Sequence, residues 1–469
     1  MNLQQDYLEK FVKRYNKRTQ NSKQFAQKYR PILADNRASD GFNPFFKEVF
    51  YPIVAKQSFG AKVWDIDGNE YIDLIMGFGI NLFGHNPPFI KQALQEQLEL
   101  GIQIGPQTEM VGEVAELICE LTQMERVAFS NTGTEAVMTA VRIARAVTNR
   151  NKIALFSGSY HGHFDGTLAK APTENGNFHT LPIAPGVLPN FVTDILVLDY
   201  GNPQSLEMIK AHQNELAAVL VEPVQTRRPN LQPKEFLLQL RQLTATSGIA
   251  LIFDEMVTGF RIHPGGSQAY FGIQADIATY GKIVGGGMPI GVIAGKAAYM
   301  DAIDGGMWNY GDASSPQTKK TFFAGTHCKH PLSIAAARAV LKYLKNQGSA
   351  LQQQLNQRTS KFVETLNACF EEGELPIQLT NFGSVFGPAA LGTDEVSDHG
   401  AATASMDLLF YHLLDKGVLL RGVGNFLSTA HSDEDIEYAI QAVKDSIQEL
   451  REGGFLPSIS LKRNAVQVV

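Results

Sequence analysis

LIFDEMVTGFR, residues 251–261, poses the question on which the fold turns. Leu251, Ile252 and Phe253 form a short apolar run that reads as a buried strand, and the run stops abruptly at two carboxylates, Asp254 and Glu255. A carboxylate at the end of a buried strand is costly unless something positive meets it. Either a basic side chain or a bound cationic group must therefore face Asp254.

The surrounding sequence repeats the pattern. ERVAFSN (125–131) runs into GTEAVMTAVRIARAVT (133–148), NKIALFSG (151–158) follows, TDILVLDY (193–200) runs into PQSLEMIKAHQ (203–213), and LAAVLVEPV (216–224) runs into PKEFLLQLRQLTATSG (233–248). Apolar strands alternating with amphipathic helices predict an α/β fold with a mostly parallel sheet and helices on both faces. Upstream, AKVWDIDGNEYIDLI (61–75) alternates around Asp67-Gly68-Asn69 and predicts a hairpin. Residues 1–40 are polar with scattered aromatics, which predicts one or two surface helices, an arm or a docking element. Beyond about residue 330 the pattern changes to longer helices, 331–346 and 400–416, with short strands such as GVLL, and predicts a second, smaller α+β domain.

At 469 residues and 44% hydrophobic composition the chain can bury a sizeable core. A net charge of −6, from 41 basic and 47 acidic side chains, supplies no broad basic surface for nucleic acid. No apolar run approaches the roughly 18 residues of a membrane span, and the first 20 residues lack the apolar segment of a signal peptide, so a cytoplasmic location is the expectation. Cys119, Cys328 and Cys369 stand far apart at no metal or redox spacing and read as free thiols.

Ligands of open α/β sheets collect at the carboxyl ends of strands, and chemically useful residues fall there. Thr132, Gly133 and Thr134 lie between a strand and a helix, as a simple N-cap or as a phosphate site. In FSGSYHGHFDG (156–166), Tyr160 and His161 precede Gly162; an aromatic face for a ligand, a packed aromatic and a His161/His163 metal pair are the readings, the metal one resting on two ligands alone. Lys282 in ATYGKIVGGGMPIGVIAGK (278–296) is either a solvated lysine before a flexible loop or, in apolar surroundings, a desolvated nucleophile. One ligand reconciles these features: pyridoxal phosphate. Asp254 would keep its ring nitrogen protonated, Lys282 would hold its aldehyde as a Schiff base and later shuttle a proton, Thr132 to Thr134 would hold its phosphate, and Tyr160, with His161 beside it, would cover a ring face. A P-loop is not supported, because the turn Thr132 to Glu135 lacks Lys-Ser/Thr. A scaffold role needs neither Asp254 nor Lys282.

FSNTGTEAVMTAVRIARA, YHGHFDG, FDEMVTGFR, YGKIVGGGMPIG and AHSDEDI, in that order, resemble the class III (subgroup II) pyridoxal-phosphate aminotransferases of fold type I, nearest to glutamate-1-semialdehyde aminomutase. The resemblance spans roughly residues 61–450. It implies a seven-stranded, mostly parallel sheet, Lys282 as Schiff-base lysine, Asp254 as ring-nitrogen partner, Tyr160 as stacking aromatic and Thr132 to Thr134 as phosphate cup. It also implies that Thr326, in FFAGTHCKHPLSIAAA, reaches the phosphate of a neighbouring subunit in a homodimer with shared active sites, and that Glu222 in VEPVQ lies close to the cofactor. The division it suggests is an N-terminal arm and part of the small domain at 1–85, a large cofactor-binding domain at 86–330 and a C-terminal small domain at 331–469.

Departures bear on substrate. LLRGVGNFLSTAHS (419–432) lacks the glutamate the aminomutases carry there and offers Arg421; Val257 stands where many relatives place a glutamine, with Arg227 a substitute donor. YNKRTQNSKQ, RPILADNRAS and FFKEVFYPIV resemble the leader of aminotransferase domains in polyketide and nonribosomal peptide assembly lines. The expectation is an aminotransferase moving an amine from an amino acid, glutamate or glutamine, to a β-keto acyl thioester on an acyl carrier protein, with glutamate-1-semialdehyde 2,1-aminomutase as the alternative. No metal and no membrane partner is expected.

Overall fold

The computed structural model describes residues 3–39, 41–171, 180–389 and 401–456. Residues 1, 2 and 40 of the predicted surface segment and Gly400, the first residue of one predicted helix, lie outside them. Seven strands form the central sheet: β1 Arg126–Ser130, β2 Lys152–Phe156, β3 Ile195–Leu198, β4 Leu216–Val221, β5 Ala250–Asp254, β6 Ile277–Tyr280 and β7 Gly291–Gly295. Their order across the sheet is β1-β7-β6-β5-β4-β2-β3. Every pairing from β6 to β3 is parallel, while β7 runs antiparallel to both β6 and β1.

Burial on both faces explains why the central strands read as continuous apolar runs. Every residue of β4 and β5 is buried. Within β5 the two-residue period sorts the side chains: Leu251 and Phe253 join one core layer, Ala250 and Ile252 the other. The second layer is closed by α1, Gly133–Thr148, through Ala136, Val137, Ala140 and Ala144; the first by α2, Lys234–Ser247, through Leu237 and Leu240, and by α3, Pro331–Gln347, through Ile334, Val340 and Leu341. All parallel strands therefore deliver their carboxyl ends to one edge.

The hairpin forms as Lys62–Asp65 paired antiparallel with Glu70–Asp73, and its sheet is completed by Ala55–Phe59 and by Val418–Leu419, which lies parallel to Glu70–Asp73. Segments from the two ends of the chain thus share one sheet. A three-stranded sheet, Leu379–Phe382, Val385–Pro388 and Asn425–Phe426, stands nearby. Two helices, Leu3–Arg18 and Gln20–Tyr29, occupy the predicted surface segment, but the first is anchored rather than superficial: Phe11 and Tyr15 are buried and pack on His412 and Tyr411. Two long helices went unread in the sequence, Ala350–Glu372 and Asp433–Glu452. The second opens with a capping box between Ser432 and Asp435 inside the AHSDEDI stretch. Among the described residues no helix is long and apolar enough to cross a membrane.

Candidate active site

Asp254 ends β5 with 3% of its surface exposed, opposite Thr279 of β6. Its Oδ2 lies 2.7 Å from Nδ1 of His161, a residue equally buried on the loop after β2. Its Oδ1 accepts from the Met256 amide at 3.1 Å and the Thr279 hydroxyl at 3.3 Å. The partner demanded by the sequence is thus supplied in part by a histidine, which ties that ring to the carboxylate. The other ring nitrogen of His161, Nε2, is buried with no hydrogen-bond partner, a situation that costs roughly 1–3 kcal/mol unless a ligand or water relieves it.

Glu222 follows the last residue of β4 and is 7% exposed. It accepts from the Tyr160 amide at 2.6 Å and the Thr226 amide at 3.2 Å. Burial pushes its carboxyl above the usual range; His161 opposes that shift and Asp254 adds to it. The same bond fixes the backbone of Tyr160, which is 59% exposed rather than packed in the core.

Lys282 follows β6 by one glycine and begins a single 3-10 turn with φ of 44°. A positive φ at a long unbranched residue is strained and persists only where its surroundings impose it. Burial holds its amine below the ordinary lysine range, against the pull of Asp254 and Glu222, and the Arg261 charge pushes the same way as burial. The result is an amine poised to lose its proton near two carboxylates.

At the N-terminus of α1 the Thr132 hydroxyl accepts from the Glu135 amide at 3.2 Å, and the Glu135 carboxylate accepts from the Asn131 amide at 2.7 Å. This reciprocal cap leaves the amides of Gly133 and Thr134 with no intrahelical acceptor, at the positive end of a 16-residue helix. The Thr134 hydroxyl accepts from the His163 amide at 3.3 Å. Gly162, at φ 82°, permits this approach, since a Cβ there would stand 2.9 Å from the Thr134 Cα. One docking contact therefore brings the loop carrying Tyr160 and His161 onto the first turn of α1.

The remaining sequence candidates sit further out. Thr326 is exposed on the loop before α3; Cys328, two residues on, has its Sγ 3.9 Å from Asn131 Nδ2. Arg227 is exposed, and its neighbour Arg228 is the one that reaches inward, donating to Gln225 at 2.7 Å and to the Ser157 carbonyl. Arg421 lies with its guanidinium 4.7 Å from the Phe78 ring, and Arg37 lies 4.3 Å from the same ring. The loop carrying Arg421 borders the site: a Cβ on Gly424 would stand 3.3 Å from Thr226, which bonds Glu222.

Sequence reasoning missed three parts of this arrangement. The His161–Asp254 bond joins segments 93 residues apart, and only the polarity of a histidine before glycine hinted at it. The Met76–Gly79 turn, with φ of 47°, 61°, 59° and 92° at successive residues, was signalled by the two glycines of MGFG. Arg261, 1% exposed, was signalled by a lone cation closing an apolar stretch.

These residues fit pyridoxal phosphate. The unpaired amides at Gly133 and Thr134 suit a phosphate, Asp254 offers a buried carboxylate to a ring nitrogen, the orphaned His161 Nε2 awaits a partner, and Lys282 offers a depressed amine. Comparison with known proteins agrees. Residues 46–447 match the family model for class-III aminotransferases. Glutamate-1-semialdehyde 2,1-aminomutase from Alkaliphilus oremlandii is 37% identical over 86% of this chain and 92% of its own length, and the enzyme of that name from Chloroflexus aurantiacus is 35% identical over 84% and 89%. A solved transaminase with PLP bound superposes with a TM-score of 0.81 at 29% identity, covering 93% of this chain and 99% of its own.

These relatives overturn the expected transfer to a carrier-bound β-keto thioester, because curated relatives at 35–37% identity bear the aminomutase name along nearly their whole length. Nearness to polyketide and nonribosomal peptide aminotransferase domains and the acyl carrier protein as partner find no support either. The leader segments that suggested them lie largely before residue 46, outside the matched family region. The chain belongs to the class-III aminotransferases and is a pyridoxal-phosphate-dependent enzyme of fold type I.

Proposed function

We propose that this enzyme is an aminomutase that moves an amino group between neighbouring carbons of a small, carboxylate-bearing amino aldehyde, with glutamate-1-semialdehyde the first substrate to test. The observation that carries this reading is the shared name of relatives 35–37% identical over most of both chains. The rim of the site supports it. Arg37 and Arg421 meet at Phe78 beside the Glu222 loop, so cations are at hand for a substrate anion.

When bound, pyridoxal phosphate supplies an aldehyde that captures an amine and a ring that withdraws electrons from the adjoining carbon. Lys282 Nζ would hold the cofactor through its aldehyde carbon and, as the free amine, would take a proton from one carbon and return it at another; its lowered basicity suits both directions. Asp254 holds the ring nitrogen's proton in place, and His161 Nδ1, 2.7 Å away, fixes that carboxylate. Thr132, Gly133 and Thr134 hold the phosphate. Tyr160 covers one ring face, oriented by its amide bond to Glu222. The enzyme acts as a homodimer in which the exposed Thr326 serves the neighbouring subunit's phosphate. The exposed Leu100 at 73%, Met307 at 77% and Phe322 at 77% are the kind of apolar side chains such an interface covers.

Isomerisation leaves mass unchanged, which makes the test direct. Purified enzyme given glutamate-1-semialdehyde yields an isomer of equal mass with its amine moved from carbon 2 to carbon 1. A second reading, transfer between two small acids, is favoured by one observation: residues 419–428 contain no acid and present Arg421 instead. It predicts exchange of one amine for one oxygen between donor and acceptor, and no rearranged isomer. Failure to isomerise, with such exchange present, overturns the aminomutase reading.

A further inference from the structure

Among the described residues Arg261 is the largest fully buried side chain, and no carboxylate of theirs lies within ion-pair distance of it. Its Nε donates to the Val257 carbonyl at 3.2 Å, one terminal nitrogen donates to the Ser384 hydroxyl at 2.9 Å, and the other donates to the Gly79 carbonyl. The guanidinium lies 4.7 Å from the Phe426 ring. Burial without an acid lowers its pKa to about 9. An arginine used only as filler would be a poor choice here, since a buried unpaired cation is more costly than a well-packed apolar residue.

What the side chain joins explains its presence. Val257 belongs to the segment that begins at Asp254; Ser384 and Phe426 belong to the three-stranded sheet; Gly79 closes the left-handed turn Met76–Gly79. Met76 and Phe78 hold φ of 47° and 59°, which side chains adopt only under external constraint. The bond to Gly79 is such a constraint. Phe78, at the turn's crest, is the ring on which Arg37 and Arg421 converge.

We propose that Arg261 is a positioning residue: it holds the Met76–Gly79 turn in its left-handed form, so that Phe78 sets Arg37 and Arg421 at the substrate side. The inference rests on the assignment of Lys282 as the cofactor-bearing lysine. The groups facing Lys282 are Asp254, itself bonded to His161, together with Glu222 and Arg261. Of these, Arg261 is the one whose charge lowers the proton affinity of the lysine nitrogen, so its removal raises it.

The test compares holoenzyme with Arg261→Met, Arg261→Lys and Ser384→Ala, using three readouts. Hydrogen exchange of the peptide covering the turn needs no substrate. Expected is faster exchange there in Arg261→Met, intermediate in Ser384→Ala. In a pH titration of the holoenzyme's visible absorbance, the midpoint moves up by about one pH unit in Arg261→Met and stays at the wild-type value in Arg261→Lys, which keeps the charge. With glutamate-1-semialdehyde, KM rises about tenfold in Arg261→Met while kcat stays within about threefold. Wild-type exchange at the turn together with an unmoved titration in a folded Arg261→Met overturns the proposal. Should Arg261→Met not fold, Ser384→Ala decides: unchanged exchange and unchanged KM overturn the positioning role. Failure of the lysine assignment shows up separately, as an absorbance band that survives Lys282→Ala.

Discussion

The two sides of the site are built differently. On the side proposed to hold the cofactor, Asp254 and Glu222 sit at or just past the ends of β5 and β4, strands buried along their whole length, and Lys282 follows β6 after one glycine. Their positions are fixed by hydrogen-bonded register within a rigid sheet. On the side proposed to face the substrate, Phe78, Arg37 and Arg421 come from a strained turn, an irregular stretch and a short loop between strands of two different sheets, far apart in sequence, with Arg261 bonding the turn. The contrast teaches that chemistry common to a family is carried by regular elements, while choice of substrate is left to loops that can vary without disturbing it.

Substitutions should separate the two sides. The largest effect belongs to Lys282→Ala: steady-state turnover falls by about 10⁴-fold or more, and the protein no longer shows the visible band of lysine-linked cofactor. Survival of either would break the assignment. Asp254→Asn comes next, with kcat down about 10²- to 10³-fold and little change in KM. A change confined to KM would move Asp254 to the substrate side. Arg421→Ala should do the reverse, raising KM for an anionic substrate about tenfold, or 1.4 kcal/mol, with the absorbance spectrum intact. A spectral change would erase the distinction between the two sides.

The smallest effect concerns stability. In cofactor-free protein the Lys282 amine titrates below its unfolded value because it is buried. Between those two points the unfolded chain binds more protons, so stability rises with pH. Lys282→Met, measured by denaturant unfolding, should therefore be more stable than wild type at neutral pH, and the gap should close as pH climbs through the folded value toward the ordinary lysine range. A gap constant with pH would mean that the lysine is not desolvated.

Much of the cofactor side was legible because strand periodicity is local. The run Leu251 to Phe253 announces β5, and the acid at its end announces a buried charge needing a partner. The identity of that partner was not legible: His161 meets Asp254 through tertiary docking of the loop after β2, which depends on Gly162 approaching Thr134. The rim was least legible. Nothing in the spacing of Arg37, Phe78 and Arg421 foretells that they converge, and the helices Ala350–Glu372 and Asp433–Glu452 escaped notice because their apolar faces are diluted by polar residues on the solvent side. The departure at Arg421 was visible, yet its weight for function was overestimated beside the likeness of the whole chain to aminomutases.

The central claim is that Lys282 and Asp254 flank one bound pyridoxal phosphate. It is tested most directly by reducing the holoenzyme with borohydride, digesting it and locating the modified lysine by mass spectrometry. The account predicts a single cofactor adduct on Lys282; an adduct on another lysine, with Lys282 unmodified, would contradict it.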